Sequence, residues 1–534
     1  KELEVKKIMK FDPTDKVHPM IDELLEGELD GGFGLNGIGI VNVVLSGFSV
    51  PELVFDDSLS LISHNDRWAT LAADQDGISR LANNEGIQWI EPKVVYKIQN
   101  DIGRDVIKVD YVSQNSEMNT LDAAWTGLTG SGVQVTVSDT GLDSGINDGT
   151  MHPDFQGRIT GIESYPIPQW MVDYGYLEPS QTILDDGASD LDSGHGTHVA
   201  GSVLGDGTQS SGAIQGSAPN SLLHFQATEQ IADFTTFAEG LNWEDGYGLY
   251  GIPNDITGMF TEAYNAGSRV HTNSWGGAGP NGLGDYTTNS QQADQASRTY
   301  PDMVILFAAG NSGVDSNNDG EIDVDSIGSP GTAKNVITVG ASENNRPAIS
   351  YLHYGSGADE WGEVWPGDFP ANPVSNDHMA DDIGGMAAFS SRGPTDDNRL
   401  KPDISAPGTF ILSAKSRATA DEGWGSYDSE YTYMGGTSMA APLTAGATAL
   451  LLEHLNTNIG MTEPSSALVR AIFTAGADDM EGQYGDPTNG AGEAIPNIHE
   501  GWGRVNLGGM INSSFVDKET VSTSEFREFS FNVP

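Results

Sequence analysis

Apolar residues along this chain come in short bursts separated by polar stretches, and the spacing of the bursts changes from one part to the next. In residues 1–99, Gly37–Ser49 (GIGIVNVVLSGFS) predicts a strand, Asp76–Asn83 a helix and Gly86–Val95 (GIQWIEPKVV) a further strand, the pattern of a small α+β unit. The pattern lapses at Gln99-Asn100-Asp101, where a domain boundary is expected. From about 115 to 510, short Val/Ile-rich segments (Val133–Ser138, Val304–Ala309, Val336–Val339) alternate with helical stretches. Asn254–Ala266 sets Ile256, Met259, Phe260 and Ala263 at helical spacing, and Ala440–Leu455 reads as a buried helix of small apolar residues. This rhythm predicts an α/β fold: a parallel sheet flanked by helices on both faces, with functional residues at strand ends and in the loops that follow. After Asn512 the text becomes Thr/Ser/Phe alternation (TVSTSEFREFSFNVP), so 511–534 is expected to begin a C-terminal β domain that is cut short.

The length of 534 residues allows several domains and a large core. Twenty-five Lys and Arg against 76 Asp and Glu give a formal charge of −51, a surface that repels phosphate backbones and anionic lipid. Nucleic acid and membrane are therefore not expected partners. Charged residues are only 19 %, below the roughly 25 % of ordinary domains, so the imbalance reflects scarce Lys and Arg as much as added carboxylates. With no cysteine, disulfides, thiolate metal sites and a cysteine nucleophile are excluded. No apolar run of 18 residues occurs, and Lys1–Lys10 lacks the apolar stretch of a signal peptide.

Three separated segments combine a reactive side chain with glycines. Ser138-Asp139-Thr140-Gly141 sets an acid at the end of an apolar strand, where an Asp by itself is more often a turn former or helix cap. Gly194-His195-Gly196-Thr197-His198 opens a small-residue helix; two histidines three apart also suggest metal, but no acid follows at i+4 to complete a ligand set. Gly436-Thr437-Ser438-Met439-Ala440 puts a serine at the start of the buried helix, where an N-cap is the ordinary alternative. The three together, in the chain order Asp139, His195, Ser438, have the order of the subtilisin triad.

The chain thus resembles the subtilases, subtilisin-like serine endopeptidases, with DTG at 139–141, HGTHVAG at 195–201 and GTSMAAP at 436–442. Further stretches, HTNSWGG at 271–277, FSSRGPT at 389–395, KPDISAPGT at 401–409 and GWGRVNL at 501–507, look most like the oxidatively stable alkaline subtilisins with a C-terminal β-barrel. The resemblance implies Ser438 as nucleophile, His195 as general base, Asp139 as the residue that orients it, and Asn311 as oxyanion donor. It implies Ser274, Trp275 and Gly276 as the segment that pairs with an extended polypeptide substrate. It also implies that 1–99 is a propeptide, at once folding template and intramolecular inhibitor, removed by self-cleavage after Gln99. Residues 100–510 are then the catalytic domain of a secreted monomer.

Behind Asn311 lies Asp315-Ser316-Asn317-Asn318-Asp319-Gly320-Glu321-Ile322-Asp323, with oxygen ligands at positions 1, 3 and 5 and a turn glycine at 6. Structural calcium on Asp315, Asn317, Asp319, Glu321 and Asp323 is expected, although Ser326 stands where a bidentate acid would close the loop and Asp325 comes one residue early. A second acidic run, Asp185, Asp186, Asp190 and Asp192, reads equally as solvated or ligating. The long inserts 163–193 and 346–386 carry no assignment. A narrow-specificity processing protease and an inactive binding scaffold remain the competing functions.

Overall fold

The computed structural model describes residues 39–45, 54–56, 58–64, 67–92, 96–98, 106–109, 127–241, 243–277, 282–347, 349–351, 357–480, 494–510 and 515–518. Two compact units are present: one comprises 1–95, 168–184 and 231–246, the other 96–167, 185–230 and 247–534. The expected C-terminal strands and the Gln99–Asn100 junction lie outside the described residues.

In the smaller unit, strands β1 (Gly39–Leu45), β2 (Leu59–His64), β3 (Trp68–Ala73) and β4 (Ile87–Pro92) form an antiparallel sheet in the order β2-β3-β1-β4. Helix α1 (Gln75–Ala82) adds Ile78, Leu81 and Ala82 to a core with Val43, Leu45, Leu59, Leu71, Ile87 and Ile90. Asp74 caps α1, its carboxylate accepting from Gly77 N at 2.9 Å. A side chain at Gly77 would put a Cβ 2.1 Å from the Ser58 carbonyl oxygen, so the close approach of helix to strand depends on that glycine. Segments 168–184 and 231–246 are held by an aromatic cluster in which Trp170, Tyr176, Phe237 and Trp243 meet edge to face, with centroids 5.2–6.3 Å apart.

The larger unit is built on a seven-stranded parallel sheet. Strand β5 (Tyr96–Ile98) stands apart from it. Its members are β6 (Gln134–Asp139), β7 (Ile159–Ser164), β8 (Leu222–Ala227), β9 (Val270–Asn273), β11 (Val304–Ala308), β12 (Ile337–Ser342) and β13 (Ile404–Pro407), in the order β13-β12-β11-β9-β6-β8-β7. Strand β10 (Trp275–Gly277) follows β9 and pairs with β5. β6, β11 and β12 are buried at every position, as expected of a sheet covered on both faces. Along the chain, helix α2 (His195–Leu204) comes after β7, α3 (Thr257–Ala266) after β8 and α4 (Thr288–Thr299) after β10, and α5 (Thr437–Thr457) runs through the core.

Nineteen consecutive residues of α5, Thr437 to Leu455, are buried, which its all-round small and apolar text anticipates. Small residues let it pack closely: a Cβ at Gly446 would lie 2.8 Å from the Val203 carbonyl oxygen of α2. The 346–386 insert is likewise part of the core. Trp361 is fully buried, stacked with Trp365 at 5.9 Å and edge-on to Phe389 at 5.5 Å.

Candidate active site

Asp139 ends β6 and His195 begins α2, and the two meet through a hydrogen bond between Asp139 Oδ1 and His195 Nδ1. Both are buried, and Asp139 Oδ1 also accepts from Thr140 N at 2.8 Å. Glycines make the meeting sterically feasible: a Cβ on Gly196 would fall 2.3 Å from the Gly141 carbonyl oxygen, and one on Gly141 would fall 2.7 Å from Asp190 N. His198, the second histidine of the motif, faces the Thr432 carbonyl at 3.2 Å, and burial pushes its pKa down to about 3. The two histidines thus play separate parts and are not a metal pair.

The acidic run before His195 yields a residue that its text left undecided. Asp190 is fully buried, so its carboxylate is not solvated. Its Oδ1 accepts from Thr140 Oγ1 at 2.8 Å and its Oδ2 from Thr197 N at 2.8 Å and Thr197 Oγ1 at 2.5 Å. Thr140 Oγ1 in turn accepts from Gly196 N at 2.7 Å. One carboxylate therefore ties the residue after Asp139 to the residues after His195, at the two points that set the Asp–His distance. Burial pushes Asp190 up to about 7 despite these donors. Beside it Glu229 is 3 % exposed, neither carboxylate oxygen has a hydrogen-bond partner among the described residues, and burial with Asp190, Asp192 and Asp139 nearby pushes it up to about 9.

Ser438 lies in the first turn of α5 and its Oγ donates to the Ser274 carbonyl at 2.8 Å. Pro442 explains a second link between these residues. Lacking an N–H, proline four residues on leaves the Ser438 carbonyl without its helical donor, and Ser274 Oγ supplies one at 2.5 Å. Asn311 is half-buried, and its Oδ1 accepts from Thr437 N at 2.9 Å and Thr437 Oγ1 at 3.0 Å. With its oxygen committed to the residue before Ser438, the side chain has its Nδ2 hydrogens to offer.

The Ser274-Trp275-Gly276 segment divides between backbone and side chain. The Trp275 indole is 1 % exposed and packs edge-on to Phe307 at 5.3 Å, so what this residue presents at the edge is backbone. That edge pairs antiparallel with the chain's own β5: Trp275 opposite Ile98, Gly276 opposite Lys97, Gly277 opposite Tyr96.

In the loop after Asn311, Asp315 is buried, its Oδ1 accepting from Asp319 N at 2.9 Å and its Oδ2 from Gly320 N at 3.1 Å. Asn317 Oδ1 also accepts from Asp319 N at 2.9 Å, while Asp323 Oδ2 accepts from Ser316 N at 2.9 Å. Gly320 has φ +86°, the turn conformation its position calls for, and Glu321 is exposed. The donor set is all oxygen, as calcium requires. Its carboxylates do not close to mutual ligand spacing; among the described residues only Glu163, His224 and Glu262 do so, within 4.8 Å. Asp325 turns away at φ +63° toward Asp396 and Asp285, where burial and the two neighbouring acids push Asp396 up to about 7.

The profile of the subtilase family, Peptidase S8, matches residues 130–503, which hold all of this geometry except β5. The chain belongs to the subtilase family. Serine protease AprX of Bacillus subtilis is 33 % identical over 343 residues, covering 61 % of this chain and 58 % of AprX. Serine protease/ABC transporter B family protein tagD of Dictyostelium discoideum is 30 % identical over 443 residues, 71 % of this chain but 23 % of tagD. This subtilase thus spans about a quarter of the one relative's length and just over half of the other's. The crystal structure of fervidolysin from Fervidobacterium pennivorans, a keratinolytic enzyme related to subtilisin, matches with a TM-score of 0.50 at 18 % identity, over 89 % of this chain and 61 % of that one, a likeness of fold.

Sequence reasoning missed Asp190, Glu229 and the Pro442–Ser274 link. Asp190 stands five residues before His195 in plain text, but the three other acids around it hide which one turns inward.

Proposed function

We propose that this subtilase is a secreted serine endopeptidase that cleaves extended polypeptides through an acyl-enzyme and is made as a self-processed precursor. What supports the reading is the Asp139–His195 contact at the end of β6 and the Ser438–Ser274 contact at the end of the neighbouring β9, with Asn311 anchored to the first turn of α5. Ser438 Oγ attacks the scissile carbonyl carbon and its proton passes to His195, which then gives it to the leaving amine. Asp139 holds Nδ1–H, so the other ring nitrogen carries the lone pair that acts as the base. The oxyanion is held by Ser438 N–H, where the α5 dipole is positive, and by Asn311 Nδ2. Water then hydrolyses the acyl-enzyme by the same proton route in reverse.

The β5–β10 pairing supports the inhibitor role of the N-terminal segment, since it covers the edge a substrate strand would use. Ile98 lies opposite Trp275, next to Ser274, whose carbonyl accepts the Ser438 hydroxyl, so a cut just beyond Ile98, after Gln99, suits this register. Calcium would be held by Asp315, Asn317 and Asp319, with Glu321 and Asp323 at its margin, and would stiffen the loop behind Asn311. The likeness of HTNSWGG and FSSRGPT to alkaline subtilisins supports a place near that subgroup, and the lack of cysteine agrees with the cysteine-free chemistry of such secreted enzymes.

The test is the N-terminus and intact mass of the chain expressed with calcium, beside Ser438→Ala. Trimming at or near Asn100 in the parent alone supports triad and precursor together. An equally trimmed Ser438→Ala protein defeats self-processing, and a Ser438→Ala protein with full peptidase activity defeats the nucleophile.

A further inference from the structure

Away from the triad, edge strand β7, its neighbour β8 and helix α3 bring together Glu163, His224 and Glu262, with one ligand atom of each within 4.8 Å of the others. We infer that these three side chains bind a first-row divalent cation of the zinc class, a structural clip at the root of the 163–193 insert.

His224 is 3 % exposed, and its Nε2 lies 3.0 Å from Glu262 Oε1. Its other nitrogen, Nδ1, lies 3.4 Å from Thr136 Oγ1. Thr136 sends its own hydroxyl hydrogen to Ser268 Oγ at 2.7 Å, and Ser268 Oγ also accepts from Gln134 Nε2 at 3.0 Å. Thr136 is therefore an acceptor toward the ring. With Thr136 accepting from Nδ1–H, Nε2 is the nitrogen that faces Glu262, the orientation of a metal-binding imidazole held by an outer partner.

Glu262 is arranged in the same way. Its Oε2 accepts from Gln226 Nε2 at 2.5 Å, with the Tyr165 hydroxyl at 3.4 Å, which leaves Oε1 turned to His224. A proton bridges Nε2 and Glu262 Oε1 at 3.0 Å, and a cation bound between them takes that proton's place. Two ligands each about 2.0–2.1 Å from one ion stand about 3 Å apart, so the spacing suits a shared cation. Space is reserved for the ring by Gly161 on β7: a Cβ there would lie 2.9 Å from His224 Cδ2 and 3.1 Å from Nε2.

Donor chemistry selects the ion. Calcium and magnesium take oxygen ligands, whereas one imidazole with two carboxylates suits zinc and its neighbours. Glu163 is exposed, so water completes the shell. Because β7 is the last strand of the sheet, joining it to β8 and α3 holds the strand end from which the insert departs.

The test uses full-length Ser438→Ala protein, which removes the proposed nucleophile and so guards against self-digestion, stripped of transition metals and kept in calcium. Titration with zinc chloride by calorimetry is expected to show one site that survives excess calcium, and cobalt(II) to give visible d–d bands. His224→Gln should abolish both, and Thr136→Val should weaken zinc binding about 10–100-fold, the usual cost of losing an outer partner. No zinc binding, or binding unchanged in His224→Gln, overturns the site. If His224→Gln does not fold, Glu163→Gln on the exposed edge decides: weaker zinc binding supports the site and unchanged binding overturns it.

Discussion

The acidic run before His195 and the one after Asn311 each stand beside a residue of the proposed active site, yet their carboxylates are used differently. Asp190 is fully buried and spends both oxygens on Thr140 and Thr197, two residues from the distant segments it joins. Asp315, Asn317 and Asp319 spend theirs on backbone N–H groups of their own loop. One run cross-links the triad's supports; the other shapes a local ring of oxygens. In a chain with a charge of −51, an acid is informative by what it leaves water for and not by its presence.

Substitutions at five positions sharpen this contrast, from the largest effect to the smallest. Asp190→Ala should lower kcat by about a hundredfold or more while leaving KM nearly unchanged, because a small shift between Asp139 and His195 is costly. Asp190→Asn, which keeps the shape and most acceptors, should recover part of the loss; an Asp190→Ala enzyme with parental kcat would break the comparison. Asn311→Leu, for reference, should cost about 10²–10³ in kcat, the known loss for the corresponding donor of subtilisin itself.

Next is calcium. A chelator should lower the melting temperature of the parent by several degrees, and Asp315→Ala should already melt at the lower value and ignore the chelator. Equal responses in the two proteins would remove the loop from the calcium account.

A smaller effect is expected from Glu229 and reads out as pH dependence. Its folded pKa is raised to about 9 from an ordinary 4.5, so between these values the unfolded chain has released a proton that the native protein retains. Stability therefore falls as pH rises through that window. Glu229→Gln removes this contribution, so its melting temperature relative to the parent should be higher at pH 8 than at pH 5. A difference independent of pH would show that Glu229 titrates normally. Last, exposed Asp185 bonds among the described residues only to Ser164 Oγ and Gly187 N, so Asp185→Asn should change stability by less than about 0.5 kcal/mol and leave kcat alone.

Much of this molecule was legible from one dimension. The strand expected at Val133–Ser138 forms at Gln134–Asp139, the helix at Asn254–Ala266 at Thr257–Ala266, and the buried helix at Ala440–Leu455 extends over Thr437–Thr457. Its start was misplaced by three residues: Ser438 has an N-cap as its ordinary alternative, whereas Thr437 and Ser438 lie inside the helix, with Gly436 at the cap. Trp275 shows the opposite limit: its text places it in a strand-pairing segment without saying where the ring goes, and packing against Phe307 takes that ring into the core.

What the sequence by itself determined is whatever depends on period and on local chemistry: the parallel α/β rhythm, the glycines that let segments touch, and three reactive residues in a recognisable order. Only the tertiary structure decided which acid turned inward, which carbonyl Pro442 left for Ser274 and that Glu163, His224 and Glu262 share one place. Periodicity is written between near neighbours, whereas burial and hydrogen-bond pairing depend on residues far apart in the chain that meet only when the sheet and its helices are assembled.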